Sequence, residues 1–355
     1  MSYFLAFAGF AALIILHEFG HFAVAKLTGM RVERFALFFP PLIAKVRKGE
    51  TEYGIGAIPL GGYVKITGMN PEEDLPPEIA PRAYYNQPVW KRVVVILAGP
   101  AMNVLVAFLL LFGLAFGTLE PTSKVERISP GTPAQGALRP GDRILSVDGR
   151  KGDQQDFREA ISSHHCPGEQ KNGCLAATPA LVRIVRDGRI LTVRVRPRYD
   201  AAQKRTLIGF QFGARPIDPS VFGAVRIAGD LMWFVTSETT KTIVQIFKPE
   251  KRKEVGSVVG GYEVTQKGFA EDARRALTIL AVISLSLALI NLFPFLPLDG
   301  GHVFWSLVEK VRGRAVPFRV MEQASVVGFM LVILLFFIGL TNDIDRLSGG
   351  GFSNR

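Results

Sequence analysis

The chain lacks basic residues at its start, a concentrated basic region and an evident internal repeat. No lysine or arginine precedes Lys26, whereas a secretory signal peptide begins with a basic segment and has a shorter apolar core. The absence of a basic patch interleaved with aromatic residues argues against nucleic-acid binding, although the formal net charge is +11. The absence of a repeat argues against a metal-ion transporter, because many transporters are built from repeated halves.

The chain is instead rich in long apolar runs. Hydrophobic residues make up 48% of its 355 residues and charged residues 21%, a mixture that indicates membrane spans joined to a soluble domain. The runs long enough to cross a bilayer are residues 4–27, 93–118, 277–298 and 326–340. We therefore predict a polytopic α-helical membrane protein with four transmembrane helices.

The basic residues of the short connections predict the orientation of these spans. Residues 28–92 carry nine lysines and arginines and residues 303–325 carry four, whereas none precedes the first span. Because short cytoplasmic connections are enriched in such residues, we place both on the cytoplasmic side and the long central segment outside. The predicted organisation is a first span (1–27), a connection with a β-hairpin (28–92), a second span (93–118), an extracytoplasmic domain (119–200), an amphipathic helix and linker (201–276), a third span (277–302), a connection (303–325), a fourth span (326–342) and a tail (343–355).

The first span contains the sequence His17-Glu18-Phe19-Gly20-His21. Residues four apart share one face of a helix, so both imidazoles can point at one metal ion with Glu18 beside them. Ionisable residues deep in a bilayer cost roughly 2.5–3.5 kcal/mol each on insertion scales, and a bound metal would offset that cost. A chance match to the motif is the alternative, which the membrane setting disfavours.

The end of the third span is interrupted by two prolines and a glycine pair within residues 291–302. Unwound backbone at membrane depth is tolerated only where protein or a water-filled cavity surrounds it. We therefore expect Asp299, which lies in this break, to have room for a ligand. An ordinary surface turn at Asp299-Gly300 is the alternative.

Two further membrane-proximal segments carry polar or turn-forming residues. Residues 31–68 contain short apolar segments separated by turns, which predict a small sheet. Such a sheet either only joins two spans or presents an edge strand that holds substrate extended. The second span contains the sequence 99–103, in which Asn103 predicts a structural hydrogen bond between helices.

Residues 125–198 resemble a PDZ domain. A Ser-Pro-x-x-Pro-Ala loop, a Gly-Asp turn and a strand ending Ile-x-x-Val-Asp-Gly follow one another within residues 128–149. A PDZ groove binds a peptide as an additional strand, and a domain that only spaces or shields is the alternative. Cys166 and Cys174 lie in an insertion of this domain, where we favour a disulfide over free thiols or a second metal site with His164 and His165.

Taken together, these motifs resemble the site-2 protease family of intramembrane zinc metalloproteases, peptidase family M50. Within that family they resemble the bacterial regulator-of-sigma-E protease group. The resemblance covers nearly the whole chain: it rests on the motif in the first span, the Pro59–Lys65 segment, residues 99–103, the PDZ-like region and the Asn-x-x-Pro-x-x-x-Leu-Asp-Gly-Gly-His sequence at residues 291–302. A single PDZ domain and the cysteine-bearing insertion depart from the best-known members.

The resemblance implies a role for individual residues. It implies that Zn²⁺ is bound by His17, His21 and Asp299, and that Glu18 is the catalytic acid and base. It also implies that substrate is positioned by Asn291 and by a membrane-associated β-hairpin, whose contact residues we take to be Gly61, Gly62 and Tyr63.

The function implied is cleavage of transmembrane segments of single-span proteins, such as anti-sigma factors or remnant signal peptides, within the lipid bilayer. The implied location is the bacterial inner membrane, with the PDZ domain extracytoplasmic and the active site toward the cytoplasmic side. A membrane scaffold that carries a PDZ domain and a structural metal site is the competing interpretation.

Overall fold

The computed structural model describes residues 1–245 and 257–348, and the chain forms two compact units. One unit, here the membrane unit, comprises Met1–Ala115 and Ser220–Arg355, and the other, here the sheet unit, comprises Phe116–Pro219. The helices are α1 Ser2–Leu27, α2 Val89–Ala115, α3 Gln154–Ser162, α4 Val221–Val244, α5 Val258–Glu271, α6 Ala273–Asn291, α7 Asp299–Arg312 and α8 Phe318–Ser348. Short 3₁₀ turns at Ala80–Arg82 and Tyr84–Asn86 precede α2.

Among the described residues, four helices of the membrane unit are long and apolar enough to cross a membrane: Ser2–Leu27, Val89–Ala115, Ala273–Asn291 and Phe318–Asp345. The prediction of a polytopic helical membrane protein is therefore confirmed. Helix α2 contacts α1, α4, α6 and α7. Small residues permit these close approaches; a β-carbon on Gly20 of α1 would overlap the Ala98 carbonyl of α2.

The third span ends earlier than predicted. Helix α6 stops at Asn291, residues 292–298 are irregular, and α7 begins at Asp299. Pro294 and Pro297 disrupt helix continuation, and β-carbons on Gly300 and Gly301 would overlap the backbone of the irregular segment. The predicted span 277–302 therefore divides into α6 and the start of α7, and the predicted connection 303–325 contains the rest of α7.

The β-hairpin between the first two spans consists of β1 Val32–Lys48 and β2 Thr51–Ile66. Both strands bend, so that residues 32–37 pair with residues 62–66, and residues 34–37 pair on their other side with residues 52–55. Residues 42–48 pair with residues 51–56. Residues 62–66 consequently form one edge of a small sheet, and β2 contacts α1.

The sheet unit contains β3 Thr118–Ile128, β4 Arg143–Val147, β5 Ala180–Arg186, β6 Arg189–Val195, β7 Arg198–Asp200, β8 Arg205–Leu207 and β9 Phe210–Ile217. Its five-stranded sheet has the order β6-β5-β4-β3-β9. Helix α3 packs on this sheet through Phe157, whose ring stacks on Phe212 with centroids 6.1 Å apart. The inward residues of the central strands, including Ile144, Val182 and Ile184, complete the core.

The compact unit extends past the predicted boundary at residue 200. Strand β9 pairs with β3, because Phe210 and Phe212 pack against the core. The predicted amphipathic helix corresponds to α4, and α5 follows it. Residues 246–256 of the predicted linker and 349–355 of the predicted tail lie outside the described residues.

Cys166 and Cys174 form a disulfide. The neighbouring histidines have other partners: the ring nitrogens of His164 lie 2.8 Å from Asp148 Oδ2 and from Thr178 Oγ1, and Gln170 lies 3.0 Å from His165. The alternative of a second metal site is therefore incompatible with these contacts.

Candidate metal centre

Three side chains from two distant parts of the sequence meet inside the membrane unit. His17 Nε2 and His21 Nε2 lie 3.3 and 3.4 Å from Asp299 Oδ2, and the two nitrogens lie 3.3 Å apart. A tetrahedral zinc ion with ligand bonds of about 2.0–2.1 Å has its ligand atoms about 3.3–3.4 Å apart. The triangle therefore matches one face of a tetrahedral zinc site.

Helix α1 supplies both histidines, and α2 shapes the space around them. A β-carbon on Gly99 would overlap His21 Nε2, so the glycine leaves room for the ring. The Val95 carbonyl lies 2.9 Å from His21 Nδ1 and can only accept a hydrogen bond. The ring proton of a neutral His21 is thus held on Nδ1, which leaves the Nε2 lone pair directed toward Asp299.

Asp299 is placed by the break that separates α6 from α7. Its carboxylate enters the site from the first turn of α7, and its Oδ2 is buried without a hydrogen-bond partner among the described residues. A buried carboxylate oxygen without a partner is costly. A cation held between this oxygen and the two imidazoles would remove that cost, so the donor set fits a metal ion.

Glu18 lies between the histidines and the β-hairpin. A β-carbon on Gly62 would lie 2.9 Å from Glu18 Cγ and 3.1 Å from the Ala36 carbonyl oxygen, so only glycine fits here without movement. The Glu18 side chain therefore lies against β2 at Gly62. The edge formed by residues 62–66 therefore faces Glu18.

The other residues predicted to bind substrate occupy different positions. The side-chain amide of Asn291 lies 3.5 Å from His17 Nε2, at the site itself. Tyr63 instead accepts a hydrogen bond from Arg34 at 2.8 Å and stacks on Phe39. Gly61 also lies against the Phe39 ring. The structure thus brings Gly62 and Asn291 to the candidate centre. Gly61 and Tyr63 instead contact residues of the neighbouring strand β1.

Asn103 is the residue near the centre whose position was not predicted. Its side-chain amide lies 3.1 Å from His17 Nδ1, and its residue surface is 0% exposed. Gly99 and Asn103 are four residues apart on α2, as His17 and His21 are on α1. This matched spacing is the sequence signal that could have assigned Asn103 to the site.

A charged cluster fixes the cytoplasm-facing end predicted for α1. The Glu50 carboxylate accepts hydrogen bonds from Arg82 at 2.7 and 2.8 Å and from Lys26 at 2.6 Å. The hydrogen bonds from Arg82, with those from Lys26, lower the pKa of Glu50 to about 2. This cluster ties the turn between β1 and β2 to the helix that carries both histidines.

Comparison with known proteins identifies the family. The family model for peptidase family M50 matches residues 5–335. A Clostridium perfringens protein that bears a zinc metalloprotease name is 30% identical over 343 residues, which cover 96% of this chain and 97% of the relative. Zinc metalloprotease Rip1 of Mycolicibacterium smegmatis is 30% identical over 385 residues, with 92% and 90% covered, and Rip1 of Mycobacterium tuberculosis is 29% identical over 382 residues, with the same coverage. Because the match spans nearly the whole chain, this protein belongs to peptidase family M50.

Proposed function

We propose that this chain is an intramembrane zinc metalloendopeptidase that cleaves transmembrane segments of single-span proteins. The observation that carries the proposal is the triangle of His17 Nε2, His21 Nε2 and Asp299 Oδ2, with sides of 3.3–3.4 Å. It lies among helices long and apolar enough to cross a membrane. The zinc metalloprotease names of the relatives agree with it.

The residues divide the chemistry between them. His17, His21 and Asp299 would hold Zn²⁺, which when bound supplies a Lewis acid that polarises the scissile carbonyl. Glu18, placed beside the triangle, takes a proton from the attacking water and delivers it to the leaving amine. Asn291, 3.5 Å from His17, is positioned to donate a hydrogen bond to the substrate backbone.

The hairpin edge offers a binding site for a substrate helix that has unwound. A transmembrane helix hides its peptide bonds in internal hydrogen bonds, so it must unwind before cleavage. Residues 62–66 present an edge beside Glu18, and edge strands bind extended chains through their backbone groups. We therefore assign this edge the role of holding the unwound segment, with Gly62 in contact with it and Gly61 and Tyr63 shaping the hairpin.

The sheet unit is assigned as a PDZ domain that binds substrate ectodomains. Strand β9 ends the described five-stranded sheet. Ser129 N–H donates to the Gly209 carbonyl at 3.0 Å while Ile128 pairs with Phe210, so antiparallel geometry turns the backbone groups of Phe210 away from β3. A peptide could pair there as a further strand.

A groove beside this open edge supports the same assignment. It has a volume of about 290 Å³ and is lined by Ile161, Phe210 and Phe212, with Arg158 and Arg205 at its rim. A groove that combines apolar side chains with polar and basic ones suits an extended chain end. By admitting small ectodomains and excluding bulky ones, the domain would select proteins already trimmed outside the membrane.

The proposed substrates and location come from the resemblance to the regulator-of-sigma-E protease group. Anti-sigma factors shortened by an earlier cleavage, and remnant signal peptides, are single-span segments with small ectodomains. The basic residues of the short connections support an orientation with the hairpin and the candidate metal centre toward the cytoplasm and the PDZ domain outside. In a bacterial cell this corresponds to the inner membrane.

Cleavage of a model single-span substrate by the purified full chain tests the chemistry. We expect Glu18→Gln to abolish cleavage while the bound zinc and the thermal stability stay unchanged. Glu263→Gln is a matched control, because Glu263 pairs with Lys267 on α5, and it should remain active. Full activity in Glu18→Gln would refute the mechanism, and a chain that binds zinc but cleaves nothing would favour the scaffold.

A chain without residues 116–219 tests the gating role. We expect it to cleave substrates with small and bulky ectodomains alike, whereas the full chain cleaves only the former. Unchanged selectivity would show that the sheet unit does not select substrates.

A further inference from the structure

We propose that Asn103 is a positioning residue for the metal ligand His17. Its side-chain carbonyl accepts a hydrogen bond from the Nδ1–H of His17, and this contact leaves Nε2 of that ring free to bind the metal. The inference rests on the proposed zinc site, and it assigns to Asn103 a role beyond joining two helices.

The first observation is the contact between the two side chains. The Asn103 amide group lies 3.1 Å from His17 Nδ1, and its other terminal atom, assigned as Oδ1, is buried without a partner among the described residues. The nitrogen and oxygen of an asparagine amide occupy nearly equivalent positions and are assigned from their partners. The geometry therefore permits either atom to face His17.

The chemistry of the imidazole decides which atom does so. If the amide nitrogen donated to Nδ1, the ring proton would reside on Nε2, the atom that lies 3.3 Å from Asp299 Oδ2 and from His21 Nε2. A protonated Nε2 cannot bind a metal. A metal-binding His17 therefore needs an acceptor at Nδ1, and the Asn103 carbonyl oxygen is the group that provides it.

His21, the other proposed histidine ligand, has the same kind of contact at Nδ1, but its acceptor is a backbone carbonyl. His21 Nδ1 lies 2.9 Å from the Val95 carbonyl oxygen, which only accepts. Val95 and Asn103 lie two turns apart on α2, on either side of Gly99, which leaves room for the His21 ring. One helix thus supplies an acceptor for each histidine, once from its main chain and once from a side chain.

Asn103 is itself held firmly in place. Ser284 Oγ on α6 donates a hydrogen bond to its backbone carbonyl at 2.9 Å, and both residues are fully buried. This second contact uses the main chain of Asn103 and not its side chain. Substitution of Ser284 therefore disturbs the same helix contact without touching the acceptor, which makes it a matched control.

The experiment measures zinc affinity by competition with a chromogenic chelator, using the full chain purified in detergent. We expect Asn103→Leu, of similar size but without an acceptor, to weaken zinc binding by roughly 10–100-fold, the usual effect of removing such an outer contact. Asn103→Asp retains an acceptor and should bind zinc at least as tightly as the wild type. Ser284→Ala should bind zinc like the wild type.

Several results would overturn the inference. Wild-type affinity in Asn103→Leu, or an equal loss in Ser284→Ala, would show that only helix packing is involved. A tenfold or greater loss in Asn103→Asp would also contradict it, and this variant decides the question even if the leucine variant does not fold. Failure of the wild type to bind zinc would instead refute the proposed function.

Discussion

The two units differ in whether their buried polar side chains have hydrogen-bond partners. In the sheet unit the buried Asp142 carboxylate is fully paired, with two hydrogen bonds from Arg186 at 2.8 and 2.6 Å and one from the Arg139 N–H at 2.7 Å. In the membrane unit some buried side-chain atoms have no partner. Among the described residues, the atoms of this kind are Tyr84 Oη, Arg92 Nε, Asn103 Oδ1 and Asp299 Oδ2.

The difference distinguishes a buried polar group that stabilises the fold from one that is available to bind a ligand. The hydrogen bonds to Asp142 leave its carboxylate unavailable to a ligand. The proposed peptide site of the sheet unit lies on its surface. At the candidate metal centre, Asp299 Oδ2 has no such partner among the described residues and is directed at the position where a metal ion would bind. Two of the four unpartnered atoms in the described part of the chain thus belong to residues of the candidate centre, Asp299 and Asn103.

The largest effect is expected from removing Arg186, the arginine that pairs with Asp142. Arg186→Leu leaves the Asp142 charge buried and uncompensated, which should lower the free energy of unfolding of the sheet unit by about 3–5 kcal/mol. Chemical denaturation of the full chain, followed by a probe attached to the sheet unit, measures this. Arg183→Leu, an exposed change on the same strand, should have little effect. Equal stability of the two variants would show that the pairing of Asp142 does not stabilise the sheet unit.

A smaller effect, confined to the metal centre, is expected from Gly62→Val. The added side chain would meet Glu18 Cγ and the Ala36 carbonyl, and a displacement of about 1 Å at a catalytic group can reduce a rate about 100-fold. We expect that loss in substrate cleavage, with zinc content unchanged. Val46→Ala, at an exposed hairpin position, should cleave normally. Loss of zinc in Gly62→Val would mean that the hairpin supports the metal site itself.

The smallest effect concerns Glu50, whose pairs are partly open to solvent. Its pKa is about 2 in the folded chain, below the ordinary value of 4.5, so its contribution to stability is complete above about pH 4.5 and is lost as the pH falls toward 2. Thermal unfolding at pH 6, 4 and 2.5 should therefore show a steeper loss in the wild type than in Glu50→Gln. Identical pH dependence would mean that the cluster with Arg82 and Lys26 does not stabilise the fold.

The sequence predicted the parts of this molecule that depend on local pattern. Apolar runs located the four spans, and the spacing of His17 and His21 placed both on one face of α1. The break before Asp299 was foreseen from its prolines, but the extent of α7 was not, because the glycines that begin it are fixed by contacts with the irregular segment.

Features that depend on distant contacts were not predicted. The double pairing of residues 34–37 joins strand segments that no local pattern distinguishes. Strand β9 was missed because its place beside β3 depends on packing against Phe157. Asn103 was predicted as a link between helices, because its spacing from Gly99 on α2 gains meaning only once α2 is known to pack against His17 and His21.

Zinc content measured on wild-type protein and on Asp299→Ala tests the central claim most directly. Asp299 is the proposed ligand from the far end of the chain, and three protein ligands are typical of catalytic zinc. We predict about one zinc per chain in the wild type and in Glu18→Gln, and its loss from Asp299→Ala under the same chelator wash. Full retention of zinc by Asp299→Ala would contradict the assignment of this centre.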